Sequence, residues 1–272
     1  MTVCIAALCE NGKSVIMAAD RMVTGEYLSI TFEHLLSKIF HIADCCVIAS
    51  SGDANVKTDV FHGAKPNIDC LKTPDVKDIV DEIKKSYANE RKRVIIEKIL
   101  FPQGFDSFKD FYEYQHMLNP EVTKRIQIEI REYDFNLQIL IAGVDQTGGH
   151  IYRIDNPGTS IPHDSIGFEV IGSGTQHAMT TLISNDYSIG FSTKKALFAV
   201  YEAKKISEKA PGVGKTYTDM AIVSNQGISK ITDDIIRELD EIRKKKYEDI
   251  KQKKMIEELI NGLDIPDYNS KG

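Results

Sequence analysis

The residue that could do chemistry most directly is Thr2, one position behind the initiator Met1. Removal of Met1, which a small second residue generally permits, leaves a secondary hydroxyl and a free α-amine on the same residue. A threonine hydroxyl is a weak nucleophile at neutral pH and needs an adjacent base, and an N-terminal amine is a recognised solution. The unperturbed pKa of such an amine, about 7.7–8.0, keeps a useful neutral fraction at pH 7, unlike a lysine amine near ~10.4. Asp20, Lys38, Ser51-Gly52 and Gly172-Ser173-Gly174 are the other candidates. Each also has a plain structural reading. Asp20 and Lys38 could be a partly exposed ion pair worth about 0–1 kcal/mol, and the Ser/Gly stretches could be turn chemistry at strand ends.

The elements that would position these residues follow from periodicity. Residues 2–21 read as a hairpin: Val3, Ile5 and Ala7 alternate with Cys4, Ala6 and Leu8, Glu10 to Lys13 supply a turn, and residues 15–19 form an apolar return strand buried on both faces. Residues 25–32 alternate like a short strand, and 38–42 with 45–51 form a second hairpin about Ala43-Asp44. A short helix over 54–63 and a Pro/Asn loop over 65–70 precede a longer helix over 74–100. Thr73 is its expected cap, with Pro74 in first position. Residues 101–133 hold a Pro-Gln-Gly break, a run of aromatics (Phe105, Phe108, Phe111, Tyr112, Tyr114) and a charged helix after Asn119-Pro120. A third hairpin, 135–144 with 150–154, turns through Asp145 to Gly149. A strand over 168–171 leads into Gly172-Ser173-Gly174, helices over 175–186 and 192–209, and closing strands over 217–224 and 228–231. Residues 233–263 read as a long charged helix, either a surface helix or an arm onto a neighbouring subunit.

Taken in order, Thr2, VIMAADRMVT (15–24), Lys38 with Gly52 fourteen residues on, IAGVDQTGGHIYRID (141–155) and IGSGT (171–175) resemble the proteasome β-subunit family of N-terminal-nucleophile hydrolases, including the bacterial HslV-type peptidase. The likeness covers about residues 2–231. It implies an α/β, four-layer α/β/β/α sandwich of mainly antiparallel sheets over residues 1–232, with 101–120 as a helical insertion and 233–272 as a charged helical tail. It also implies roles. Thr2 attacks the scissile carbonyl, Lys38 lowers the pKa of its hydroxyl, and Asp20 holds Lys38. The backbone N–H of Gly52 faces the oxyanion where a side chain would obstruct approach, with Ser51 beside it. Ser173 and the Gly174 backbone bind the amine and the hydrolytic water. The activity implied is a threonine peptidase acting on peptide or unfolded protein, in a ring-forming homo-oligomer, with an ATPase unfoldase as a possible partner and no cofactor. A peptide ligase using the same acyl-enzyme and a non-catalytic ring subunit are the alternatives. The chain departs from the family at 209–214, Lys-Ala-Pro-Gly-Val-Gly, where a supporting Asp and Ser have no evident equivalent, and Asp219 is a weak substitute.

Composition bounds the rest. Of 272 residues, 42% are hydrophobic and 27% charged, which suits a globular chain, and the net charge of −6 argues against non-specific nucleic-acid binding. No apolar run reaches the ~20 residues of a membrane span and no basic-then-apolar leader precedes Thr2. Five cysteines without a CxxC pair read as free thiols in a reducing cytoplasm, and seven scattered histidines offer no metal site. Gly212-Val213-Gly214-Lys215-Thr216 imitates the end of a phosphate-binding loop, but that motif needs glycine where Lys209 stands, so nucleotide binding is not expected.

Overall fold

The computed structural model describes residues 2–24 and 31–248. The chain divides into two compact units, 1–231 and 232–272. In the first unit β1 (Cys4–Cys9), β2 (Ser14–Ala19), β3 (Met22–Thr24), β4 (Thr31–Glu33), β5 (Phe40–Ala43) and β6 (Cys46–Gly52) lead to α1 (Ala54–Asp69) and α2 (Val76–Ile95). After α3 (Phe108–Tyr114) and α4 (Pro120–Glu132) come β7 (Leu137–Asp145), β8 (Gly148–Asp155), β9 (Thr159–Pro162) and β10 (Phe168–Ile171). Helices α5 (Thr175–Ser184) and α6 (Thr193–Ser207) and strands β11 (Asp219–Ser224) and β12 (Gly227–Lys230) complete it. The described part of the second unit is α7 (Asp233–Glu248), whose exposed face carries ion pairs such as Lys244–Asp240 at 2.9 Å.

Two antiparallel sheets, β10-β1-β2-β11-β12 and β5-β6-β7-β8-β9, hold the core. Strand parity explains why β1, most of β2 and the middles of β6 and β7 look apolar without alternation, since successive side chains point to opposite faces and both faces are covered. Cys4, Ala6, Leu8, Val15, Met17 and Ala19 meet Val47, Ala49, Leu140 and Ala142 between the sheets. The opposite parity of the second sheet, Cys46, Ile48, Ile139 and Ile141, packs on α1 and α2 through Val60, Ala64, Ile79 and Ile83. On the far side of the first sheet, α6 lies against β1 and β2, and α5 against β10.

Several expected boundaries move. The Pro/Asn loop over 65–70 is instead the end of α1, which continues through Pro66 to Asp69. Val60, Ala64 and Ile68 form a buried stripe at four-residue spacing, and that packing outweighs the local proline signal. The cap of α2 is not Thr73 but Asp75, whose N–H is accepted by Asp78 at 3.3 Å, while Asp145 from the end of β7 accepts the Val76 N–H at 3.0 Å. The helix runs on as a π turn, Ile96–Leu100. The aromatic run divides: Phe105 and Phe111 are buried with Ile95, Leu100 and Ile126, whereas Tyr112 and Tyr114 are exposed. The turn between β7 and β8 tightens to Gln146-Thr147, and β9 has no counterpart among the expected strands. Most of the strand expected over 25–32, and residues 249–263 of the expected long helix, lie outside the described residues. No described helix is long and apolar enough to cross a membrane.

Candidate active site

Thr2 precedes β1 in the same parity as Cys4 and Ala6, which directs its side chain toward the gap between the sheets at their end. It is 2% exposed. Its Oγ1 donates to Asp20 Oδ1 and accepts from Lys38 Nζ, while Lys38 Nζ also donates to Asp20 Oδ1 at 3.1 Å. Asp20, at the end of β2, has no exposed surface. A carboxylate so far from water is tolerated only when its oxygens are filled. Oδ1 takes, besides Thr2 and Lys38, the Val3 N–H at 3.0 Å; Oδ2 takes the N–H groups of Met22 at 3.1 Å and Gly214 at 2.8 Å. The hydroxyl therefore lies between a fixed anion and a fixed cation, and the cation favours its deprotonated form.

Gly172-Ser173-Gly174 wraps the Thr2 backbone. Thr2 N donates to Ser173 Oγ at 3.2 Å, and Thr2 O accepts from Gly174 N at 3.2 Å. Gly172 has φ +96°, and a Cβ there would lie 2.3 Å from Thr2 O, so only glycine allows this approach. Beside Thr2 opens a cavity of about 520 Å³, lined among others by Ser51, Gly52, Gln138, Gly172 and Ser173. Gly52 is required by the fold itself. Its φ is +109° and a Cβ would fall 1.5 Å from Asn136 O, so the chain's own backbone, before any substrate, forbids a side chain. Ser51 Oγ donates to Gln138 Oε1 at 3.3 Å.

Two neighbours were not among the sequence candidates. Gln138 on β7 also accepts the Gly172 N–H at 3.4 Å, tying the second sheet to the turn that holds Thr2. The available signal was a lone amide among the apolar residues of 137–144, at the inter-sheet parity of Leu140 and Ala142. Gly214, seen only as part of a false phosphate loop, supplies an amide to Asp20. Asp219 is not brought to Thr2; it forms a two-pronged pair with Arg21 at 2.6 and 2.8 Å. Burial pushes the neighbouring Cys4 thiol up to about 12 despite the Lys38 charge, and burial with Lys38 repulsion pulls the Lys57 ammonium down. Among the described residues no group of His, Cys, Asp and Glu could hold a metal ion.

Part of the sequence is similar to known proteins. Residues 108–211 match the family model described as proteasome subunit. The matched stretch contains Ser173 and Gly174 but not Thr2, Asp20, Lys38 or Gly52. The chain is 30% identical over 125 residues to proteasome subunit beta 2 of Thermofilum pendens, which covers 43% of this chain and 58% of the relative. It is 35% identical over 88 residues to proteasome subunit beta of Ferroglobus placidus (31% and 40%), and 28% over 92 residues to that of Haloferax volcanii (34% and 36%). The matches thus span between about a third and three fifths of those relatives. Together they support the proteasome family.

Proposed function

We propose that this chain is a proteasome-like threonine peptidase that cleaves peptide bonds through Thr2 once Met1 is removed. The observation that carries the proposal is the Thr2 hydroxyl held between Asp20 and Lys38 at the edge of the cavity. In the proposed reaction Thr2 Oγ attacks the amide carbon, its proton passes to the Thr2 amine, and the oxyanion is met by the Gly52 N–H. The amine returns the proton to the leaving nitrogen as the C–N bond breaks. Water then adds to the ester, releasing the acid and restoring the hydroxyl. Asp20 orients both Thr2 and Lys38, and Ser173 holds the amine. The same proposal includes the four-layer α/β/β/α arrangement, a cytoplasmic ring of like subunits, peptide or unfolded protein as substrate, and an ATPase unfoldase as partner.

The second reading is a non-catalytic ring subunit. It is favoured by the 209–214 segment, which brings no Asp or Ser side chain to Thr2, and by the commitment of Asp219 to Arg21. Denatured intact mass of untagged protein after incubation with a peptide epoxyketone separates the two, because the ring adduct needs a free amine and the hydroxyl of one threonine. Loss of Met1 with one adduct, absent in Thr2→Ala, is the expected result. Retained Met1 without an adduct would establish the non-catalytic reading instead.

A further inference from the structure

The segment that lacks the family's supporting side chains is held in place by two charged residues that the reaction itself does not use. Residues 215–217 turn their successive backbone N–H groups onto one carboxylate, that of Glu33 on β4. Lys215 N and Thr216 N donate to Oε1, the latter at 2.9 Å, and Tyr217 N donates to Oε2 at 3.2 Å. Successive amides of this kind form an anion-binding concavity. The false phosphate loop of the sequence is thus a real amide cradle whose anion comes from the protein. Although burial disfavours the Glu33 carboxylate, these N–H groups outweigh it and hold its pKa below the usual range. The fully buried Lys204 of α6 donates to the carbonyls of Gly214 at 3.1 Å and Tyr217 at 3.0 Å, and to Glu208 at 2.6 Å. Directly before the clamped residues, the Gly214 N–H donates to Asp20 Oδ2 at 2.8 Å.

We infer that Glu33 and Lys204 are positioning residues for the Thr2 nucleophile, acting through Gly214 and Asp20 in place of the missing Asp and Ser side chains. This rests on the peptidase reading above. Asp20 Oδ2 is held by the Met22 and Gly214 amides alone among the described groups bonded to it, while Oδ1 carries Thr2 and Lys38. Releasing Gly214 lets the carboxylate rotate and carries Oδ1 away from Thr2. Displacements of about 1 Å at a reacting group cost up to roughly 10²-fold in rate.

The test compares wild type, Glu33→Ala and Glu33→Gln in the full chain by the rate of Thr2 adduct formation with a peptide epoxyketone, by kcat and KM for a fluorogenic peptide, by Tm, and by hydrogen exchange over 209–220. In Glu33→Ala, adduct rate and kcat fall roughly 10- to 10²-fold, KM stays within about twofold, and protection is lost at 215–217. Glu33→Gln, which keeps an accepting oxygen, recovers part of the rate. Should Glu33→Ala be too poorly folded to assay, Glu33→Gln decides alone: a lowered kcat at unchanged KM and Tm supports the inference, and a wild-type kcat overturns it. Equal labelling of wild type and a folded Glu33→Ala overturns the positioning role while leaving the peptidase standing. No adduct on wild type overturns both.

Discussion

Asp20 is the residue on which the site turns. Its 0% exposure means that any substitution leaves either unpaired N–H donors or an uncompensated Lys38. Removing one partner of a buried ion pair is expected to cost about 3 kcal/mol or more. Asp20→Asn therefore lowers the urea midpoint as well as activity. Lys38→Ala acts on both as well. Lys38 is partly exposed, but its loss leaves the fully buried Asp20 carboxylate without its counter-charge, so it lowers stability as well as removing the charge that stabilises the Thr2 oxygen. Peptide cleavage by the folded protein should fall by about 10²-fold or more, measured below the lowered Tm of the variant. Indifference of cleavage to Lys38→Ala would count against the proposed mechanism.

At the scale of elements, the decisive pieces are the ends of strands and the turns beside them. Gly172→Ala forces a Cβ against Thr2 O at a backbone conformation unsuited to alanine. Its expected effect is a drop of roughly 10²-fold in adduct rate, read by intact mass against time. Gly12→Ala is the control, because its φ is also positive but nothing lies within 4 Å of the added carbon; adduct formation there stays at the wild-type rate. In α1, Pro66 interrupts the hydrogen-bond ladder of a helix that packing holds together on both sides of it. Replacing it by alanine restores a donor and removes a ring clash, so Pro66→Ala should raise unfolding free energy by about 1 kcal/mol.

For the molecule as a whole, the sheets bury most of its thiols. Cys4, Cys9 and Cys46 are buried, Cys45 is half-buried and Cys70 is exposed. Burial raises the Cys4 and Cys9 thiols to about 12 and about 11, with Thr193 partly opposing the latter. At pH 8 an alkylating reagent should label Cys70 first and leave Cys4, Cys9 and Cys46 intact until urea is added, as counted by mass. The same shifts set the sign of a pH effect. The folded state keeps these protons after the unfolded chain, near ~8.5, has lost them. Their contribution to stability is complete below that pH and is lost as pH rises toward the folded values. A urea midpoint that fails to fall between pH 8 and pH 10 would contradict the burial of these thiols.

What could be read from the sequence was whatever depends on near neighbours. The β1–β2 hairpin, the strands around Lys38 and Gly52 and the Gly172-Ser173-Gly174 turn follow from period-two alternation or turn residues. Thr2, Asp20, Lys38 and Ser173 came forward as candidates through a resemblance carried by side-chain type and order along the chain, and the fold brings them together. Tertiary structure decided everything that depends on which backbone atom meets which side chain. The sequence does not show that Pro66 lies in a packed helix, that Gly52 yields to Asn136 O, or that Gln138 ties the two sheets together. It shows still less that a phosphate-like loop closes on Glu33 and sends the Gly214 amide to Asp20. Backbone N–H and C=O groups are the same at every residue, so only the fold determines where their hydrogen bonds go.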